Sequence, residues 1–261
     1  MTRHERWNAL LELLADAGRL TVEDASRRMS VSAATIRRDF DELAEQQMLT
    51  RTRGGAVAQS VSYDLPLRYK TARHASEKQR IAAATAELVR PGSIVGLNGG
   101  TTTSEVARVL ATRADPHAED SSPSLTIVTN ALNIGSELAV RRHVKIVLTG
   151  GVPRPQSYEL TGPLATGIFD QVTLDVAILG VNGVAARHGA TCRDEGEAGV
   201  NRLMAERADQ VVVVADGSKV GRRAFARICA TDEIDILVTD ATIDEAEAAA
   251  FTEAGVRVIT A

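Results

Sequence analysis

Residues 31–39 read Val-Ser-Ala-Ala-Thr-Ile-Arg-Arg-Asp, and this stretch decides the fold of the first part of the chain. It begins a helical pattern that we expect to run from about Ala33 to Gln47. The apolar stripe of this helix consists of Ile36, Phe40 and Leu43. With Ile36 facing inward, a rotation of about 100° per residue turns Arg37 and Arg38 outward. The sequence therefore predicts an amphipathic helix that presents two adjacent guanidinium groups.

Two shorter helical patterns precede this helix, and a strand-like pattern follows it. The first helix carries its apolar stripe at Trp7, Leu10, Leu11 and Leu14. It stops at Gly18, and the second helix opens at Thr21, with Asp24 three residues later in a capping-box pattern. Residues 48–57 alternate like a strand and turn at a glycine pair. Three helices and a small hairpin predict a winged helix-turn-helix domain at residues 1–57.

The outward face of the third helix has the chemistry of a DNA-binding surface. An arginine fork can bond guanine O6 and N7 together, or it can hold a phosphate. Hydroxyls at the start of the helix can bond the DNA backbone beside the free helix amides. We expect Arg51 and Arg53 on one face of the wing strand, where a wing meets the DNA edge. The predicted DNA-contacting residues are Ser32, Thr35, Arg37, Arg38, Arg51 and Arg53.

Two other interpretations of this block stay open. An Arg-Arg pair on a helix is often only a solvated face, and a three-helix module can be a docking unit for another protein. The helix spacing, the exposed arginines and the basic wing together favour double-stranded DNA as the partner. Footprinting separates DNA binding from protein docking, because docking predicts no protected DNA sequence.

Residues 58–76 form a polar connector, and from residue 77 to 261 the pattern changes to alternating strands and helices. We expect strands near 93–97, 125–128, 144–148, 174–179, 210–215, 235–239 and 256–260. Helices are expected near 77–89, 103–112, 131–141, 194–208 and 244–254, and an exposed loop at 113–123. Continuous apolar strands between helices predict a Rossmann-like α/β domain with a mostly parallel sheet covered on both faces.

Ligands of open α/β sheets gather at the carboxyl ends of the strands. The first predicted strand ends in Asn-Gly-Gly-Thr-Thr-Thr-Ser at residues 98–104 and passes directly into a helix. Glycines let the backbone approach an anion, and the helix amides and hydroxyls supply donors. No Walker lysine follows, which disfavours a nucleoside triphosphate and favours a phosphate monoester. On its own, such a turn is more often a plain strand–helix connection.

Small or polar residues recur at four more strand ends, with Lys219 as an available cation and Asp216 as a hydroxyl acceptor. Arg154 and Arg193 could also reach an anion, although nothing in the sequence fixes their direction. Five such ends at one edge predict a pocket for a phosphorylated sugar or polyol. The predicted effector-contacting residues are Asn98, Gly99, Gly100, Thr101, Thr102, Thr103, Thr129, Asn130, Gly150, Gly151, Asn182, Asp216 and Lys219.

The run from Arg19 to Phe40, together with Arg-Gly-Gly-Ala at residues 53–56, resembles the DNA-binding domain of DeoR-family regulators. Gly-Gly-Thr-Thr-Thr at 99–103, Val-Thr-Asn at 128–130, Thr-Gly-Gly at 149–151, Thr-Gly-Pro at 161–163 and Ala-Asp-Gly-Ser-Lys at 215–219 resemble the sensor domain of that family. The resemblance implies that Thr35, Arg37 and Arg38 face DNA, and that a sugar phosphate usually relieves repression. Phe40 and Gln47 stand where the family often has Leu and Gly. Asn98 begins what the family has as Asp-x-Gly, so a carboxylate role at that position is lost.

An enzyme is the rival function, because that sensor fold is similar to ribose-5-phosphate isomerases. Those enzymes need a carboxylate base. Their Asp-Gly-Ala-Asp run falls on Leu-Gly-Val-Asn at residues 179–182, which offers none. Glu195 and Glu197 stay open, either as pocket carboxylates or as the solvated start of a helix. We favour a regulator without enzymatic activity; turnover of ribose 5-phosphate would decide.

Composition narrows the class of protein further. A net charge of −4 over 261 residues argues against a protein that coats nucleic acid along its length. The apolar runs are too short for a bilayer, and the polar N-terminus predicts no signal peptide. Two distant cysteines and five scattered histidines predict a reducing cytoplasm, no metal site and no cofactor. Because one recognition helix reads only a few base pairs, we expect a homodimer or homotetramer on paired half-sites.

Overall fold

The computed structural model describes residues 2–46, 48–57, 67, 74–113 and 124–261. The chain divides into two compact units, Met1–Arg73 and His74–Ala261. The predicted connector at 58–76 lies outside the described residues except for Leu67 and residues 74–76. The predicted loop at 113–123 lies outside them except for its first residue.

The N-terminal unit is a winged helix-turn-helix, as predicted. Its helices are α1 (Arg3–Ala17), α2 (Val22–Met29) and α3 (Ala33–Glu45), and its strands are β1 (Arg19–Thr21), β2 (Thr50–Thr52) and β3 (Gly55–Val57). The strands form an antiparallel sheet in the order β1-β3-β2. The sequence pattern missed β1, because three residues between two helices show no alternation.

The boundaries of these helices follow from local hydrogen bonds. Gly18 takes a left-handed conformation (φ 69°) and donates its N–H to the Leu14 carbonyl, which ends α1. Thr21 accepts from the Asp24 amide and begins α2. The predicted apolar stripes of α1 and α3 pack together in one buried cluster that also contains Leu49 and Ala56 of the wing.

The C-terminal unit is built on a seven-stranded sheet in the order β15-β14-β12-β9-β4-β5-β6, in which all neighbours are parallel. Its strands are β4 (Ile94–Leu97), β5 (Leu125–Thr129), β6 (Val144–Leu148), β9 (Val176–Gly180), β12 (Val211–Val214), β14 (Ile236–Thr239) and β15 (Arg257–Thr260). Its helices are α4 (Ala75–Ala86), α5 (Thr101–Arg113), α6 (Leu132–Leu138), α7 (Pro163–Thr166), α8 (Glu195–Glu206) and α9 (Glu245–Glu253). The predicted Rossmann-like fold is confirmed, with strand and helix ends that differ by a few residues.

Two smaller pieces of sheet were not predicted. One is a hairpin of β7 (Val152–Pro153) and β8 (Leu160–Thr161). The other is an antiparallel sheet of β10 (Gly183–Ala185), β11 (Gly189–Cys192) and β13 (Ala226–Cys229). Strands β7, β8 and β10 have only two or three residues, too few to show a periodic apolar pattern.

The long sheet is buried on both faces, which explains its continuous apolar strands. Along β12, Val212 and Val214 belong to one buried cluster, and Val211 and Val213 belong to the other. Strand β4 comes first in this unit and lies between β5 and β9. The strand order therefore reverses between β4 and β9, where such sheets leave a crevice at their carboxyl ends.

Among the helices that the structure describes, none is long and apolar enough to cross a membrane.

Candidate functional site

The outward face of α3 carries the predicted arginine pair. Arg37 and Arg38 are exposed, whereas Ile36 is buried. Ser32 caps the helix by accepting from the Thr35 amide at 3.2 Å, and the two hydroxyl oxygens lie 2.9 Å apart. The exposed Ser32 hydroxyl thus serves the helix N-terminus in the free protein, beside the two arginines.

The two wing arginines have different surroundings, and the interpretation that they share one face of a strand is wrong. Arg53 is exposed and lies in the turn after β2, not in the strand. Arg51 lies in β2 and turns back onto α3, with its Nε 2.7 Å from Asp41 Oδ1 and its guanidinium over the Phe40 ring. It also donates to the Gly55 carbonyl at 2.7 Å. Arg51 therefore fastens the wing to α3, while Arg53 projects from the tip.

A buried carboxylate fixes α3 against α1. Asp39 accepts from Arg6 Nε at 2.5 Å, from the second guanidinium nitrogen at 2.9 Å and from Trp7 Nε1 at 2.9 Å. The Asp39 side chain is only 3% exposed. Sequence reasoning assigned no role to Asp39 and missed this one. Its position three residues after Ile36, inside the apolar stripe, was the available signal.

At the carboxyl edge of the long sheet, Asn98 spans the crevice between β4 and β9. Its Nδ2 donates to the Gly180 carbonyl at 2.9 Å, and its Oδ1 accepts from the Gly180 amide at 2.7 Å. Both polar atoms of the side chain are therefore used within the protein. Asn98 holds the topological switch point together and sets the position of the loop that follows.

That loop leads into α5 and gathers the predicted hydroxyls. Thr103 and Ser104 donate to the Gly100 carbonyl at 3.2 and 2.7 Å. Thr102 is 2% exposed, and its Oγ1 is buried without a hydrogen-bond partner in the described part of the chain. A buried hydroxyl without a partner costs free energy, and the Thr102 hydroxyl is available to a group outside the described residues. Thr101, half-buried, starts the helix.

The β7–β8 hairpin folds back over this edge and brings in a residue that sequence reasoning missed. Leu160 N donates to the Asn130 carbonyl at 2.6 Å, which places Glu159 beside the loop. A Cβ at Gly99 would collide with the Glu159 side chain, so only glycine fits there. Glu159 Oε2 accepts from Asn130 Nδ2 at 3.0 Å and from Asn201 Nδ2 at 3.1 Å. An acid in a polar loop does not by itself indicate a buried site residue. Asn201 does, because it is a polar residue on the apolar face of α8.

The environment of Glu159 favours its neutral form. Burial, together with the neighbouring Glu197 charge, raises the pKa of Glu159 to about 8, against the lowering effect of the two amides and of Arg154. Near neutral pH this carboxyl group is mostly protonated and can donate a hydrogen bond. It therefore adds no full negative charge beside the Gly99–Gly100 turn.

The sequence left the roles of Arg154, Glu195 and Glu197 open, and the structure gives the surroundings of each. Arg154 Nε lies 3.0 Å from Asp194 Oδ2, and its NH1 lies 3.0 Å from Glu197 Oε1. Glu197 is buried in this pair, whereas Glu195 is exposed at the helix start. Arg154 thus binds carboxylates of its own chain.

The end of β12 contributes a charged pair. Lys219 Nζ lies 3.6 Å from Asp216 Oδ2, and Asp216 is buried. Burial alone would raise the pKa of Asp216, but the Lys219 charge and the Ser218 hydroxyl lower it below its usual value. Lys78 on α4, 4% exposed, contributes to this lowering and was missed by the sequence reasoning. A lysine on the buried stripe of α4 indicates a charge with a partner inside the protein.

The five predicted strand ends follow the sheet order β6, β5, β4, β9 and β12. Four strand spacings of about 4.8 Å span roughly 19 Å, more than one small phosphosugar covers.

Gly150 and Gly151 at one extreme have a packing role, because a Cβ at Gly151 would lie 2.7 Å from the Thr161 carbonyl oxygen. Thr129 Oγ1 accepts from the Ala131 amide at 3.0 Å, and Asn182 Oδ1 accepts from the Arg193 amide at 3.1 Å. Among the predicted residues and their neighbours, the structure brings Asn130 together with Glu159, whose side chain packs against Gly99.

Comparison with known proteins gives matches over nearly the entire chain. A model of the DeoR-like helix-turn-helix domain matches residues 6–61, and a model of the DeoR C terminal sensor domain matches residues 73–241. The HTH-type transcriptional regulator GlpR of Haloferax volcanii is 34% identical over 98% of this chain and 96% of that protein. The glycerol-3-phosphate regulon repressor of Escherichia coli is 34% identical over 92% of each. Ribose 5-phosphate isomerase A from Methanocaldococcus jannaschii matches 56% of this chain and 55% of that one, at 19% identity and a TM-score of 0.39.

Proposed function

The chain belongs to the DeoR family and is a DNA-binding transcriptional regulator rather than an enzyme; from this premise we propose that it represses carbohydrate-metabolism genes until a phosphorylated sugar or polyol binds its C-terminal unit. We place its action in the cytoplasm, where a protein meets both chromosomal DNA and phosphorylated metabolites. The same proposal assigns residues 1–57 to the operator, 58–76 to the connection and 77–261 to the effector.

In this proposal α3 enters the major groove and the wing tip meets the backbone. Arg37 and Arg38 are exposed side by side, and both can reach base edges or phosphates. Ser32 and Thr35 contact a phosphate at the helix start, and Arg53 contacts the sugar–phosphate edge. Arg51 reaches DNA only by giving up Asp41, so its contribution is the smallest of the set.

The effector half rests on one observation: the buried Thr102 hydroxyl has no hydrogen-bond partner within the described residues. It lies in the first turn of α5, whose free amides favour an anion, directly after the Gly99–Gly100 turn. A phosphoryl oxygen there would satisfy Thr102 and the helix amides together. Asn130 and the neutral Glu159 then offer hydrogen bonds to sugar hydroxyls, and Lys219 offers a positive charge at the β12 end.

We infer a homodimer or homotetramer that places two recognition helices on paired half-sites. The effector favours an arrangement of the DNA-binding units that does not match the half-site spacing. The free energy by which the effector shifts this equilibrium equals the difference between its binding free energies for the two arrangements.

Fluorescence anisotropy of labelled DNA from upstream of the chain's own gene tests the proposal. The DNA is compared with a scrambled duplex at fixed salt, because phosphate contacts make affinity salt-dependent. The panel of phosphorylated sugars and polyols includes glycerol 3-phosphate, which the name of one relative suggests. We expect selective binding that one member of the panel abolishes.

Other outcomes refute separate parts of the proposal. Selective DNA binding that no phosphoester changes would refute the effector class and leave the operator assignment standing. Equal binding to the scrambled duplex would refute the operator assignment.

A further inference from the structure

The C-terminal unit has a second concavity, formed by the small β10-β11-β13 sheet and the segment that leads into β13. It encloses about 460 Å³, which is within the range of small-molecule sites. As far as the described residues define its lining, it includes no residue of the predicted effector set. The proposed function assigns no role to this concavity.

Positive charge dominates its wall. Arg187, Arg223 and Arg227 line the concavity, and His188 lies beside them. Within the described ranges, no carboxylate forms an ion pair with any of these arginines, in contrast to Arg108 and Arg207 of the same unit. Uncompensated guanidinium groups that share one concavity raise the local concentration of anions.

Two carboxylates of the adjoining segments bond backbone amides and form no ion pair with the arginines of the wall within the described ranges. Glu233 accepts from the Ala230 amide at 2.5 Å, and Glu247 accepts from the Ala186 amide at 2.9 Å.

The backbone that carries the arginines is anchored. Thr191 Oγ1 donates to the Gly183 carbonyl at 2.8 Å and accepts from the Ala224 amide at 2.9 Å. Thr231 Oγ1 donates to the Ala186 carbonyl at 2.8 Å. Ala186 and Ala224 are the direct chain neighbours of Arg187 and Arg223, and Thr191 is the strand partner of Arg227, so the backbone beside all three arginines is held in place.

We propose that this concavity binds a diphosphate, free or esterified to an organic group, at a site separate from the effector pocket. The guanidinium fork matches the spacing of phosphoryl oxygens. A phosphate monoester carries about two negative charges near neutral pH, so a diphosphate balances three guanidinium charges more closely. Phe225, 81% exposed on the same lining, offers its ring to the organic group of an ester.

Isothermal titration calorimetry of the full chain with inorganic pyrophosphate tests the site. We expect saturable binding to one site per chain that weakens about tenfold or more in Arg223→Ala and in Arg227→Ala, because each removes charged hydrogen bonds. Arg142→Ala, an exposed arginine outside the concavity, is the matched control and should bind as wild type does. Binding should also survive Thr102→Val and Arg38→Ala, which alter the effector pocket and the DNA-binding face.

A second titration with adenosine diphosphate separates the two sources of a diphosphate. Tighter binding than pyrophosphate, lost in Phe225→Ala, identifies an esterified ligand, and equal binding identifies the free anion. The proposal is overturned if no saturable heat appears up to millimolar pyrophosphate, or if Thr102→Val or Arg38→Ala removes it. It is also overturned if Arg223→Ala lowers the mass measured by light scattering while pyrophosphate has no effect, since the concavity would then be an interface between copies.

Discussion

Replacement of Asp39 by alanine should strongly destabilise the N-terminal unit. The substitution removes three hydrogen bonds and leaves the Arg6 guanidinium, 13% exposed, without its carboxylate. Loss of one partner of a buried ion pair costs about 3–5 kcal/mol. Asp41→Ala on the same helix is the matched control, because the Asp41 side chain is 58% exposed beside Arg51. Exposed pairs contribute about 0–1 kcal/mol.

The assay is urea unfolding followed by tryptophan fluorescence. Trp7 is the only tryptophan of the chain, so the signal reports the N-terminal unit, and its indole N–H is itself a partner of Asp39. A loss of about 3–5 kcal/mol is a large part of the stability of a small domain, so the unfolding midpoint should fall steeply. If Asp39→Ala lowers the midpoint no more than Asp41→Ala does, the buried carboxylate does not hold α1 to α3, and the reasoning is refuted.

Three further predictions concern binding and pH. Arg38→Ala should weaken operator binding by about 1–3 kcal/mol in anisotropy while the effector affinity stays unchanged; wild-type DNA binding would refute the assignment of α3. Thr102→Val should keep operator binding and raise the effector concentration needed for release by about tenfold, whereas Thr112→Val, an exposed threonine of the same helix, should change neither. Because the pKa of Glu159 is raised to about 8 in the folded state, its contribution to stability is lost as pH rises from about 4.5 towards 8. The melting temperature of Glu159→Gln, measured by circular dichroism, should therefore rise relative to that of wild type as the pH increases over that range. A difference in melting temperature that stays constant with pH would contradict the raised pKa of Glu159.

Much of the fold follows from the sequence because periodic apolar patterns encode it. The stripes of α1 and α3 and the valine run of β12 each predict an element that the structure contains. Strand β1 escaped prediction because it pairs with β3, which follows two further helices along the chain. Most strands of the two short sheets have only two or three residues, too few to alternate visibly.

The candidate site was predictable only in outline. Strand ends could be placed at one edge from the parallel topology, but their mutual distances depend on strand order, which the sequence does not state. Glu159 reaches the crevice through a hairpin that local propensity does not reveal. Arg51 could be recognised as basic, but its partner Asp41 depends on how the wing packs against α3.

The Asn98 bridge restricts which sequences can share this backbone. Its partner Gly180 presents a donor and an acceptor together, and the side-chain amide answers both, whereas an ionised carboxylate would meet the Gly180 carbonyl with like polarity. A relative with aspartate at this position must therefore hold the corresponding backbone differently, although the two residues are 82 positions apart. Because both bonds reach backbone atoms of residue 180, the constraint falls on the side chain at position 98, and placing aspartate there should open the seam between β4 and β9.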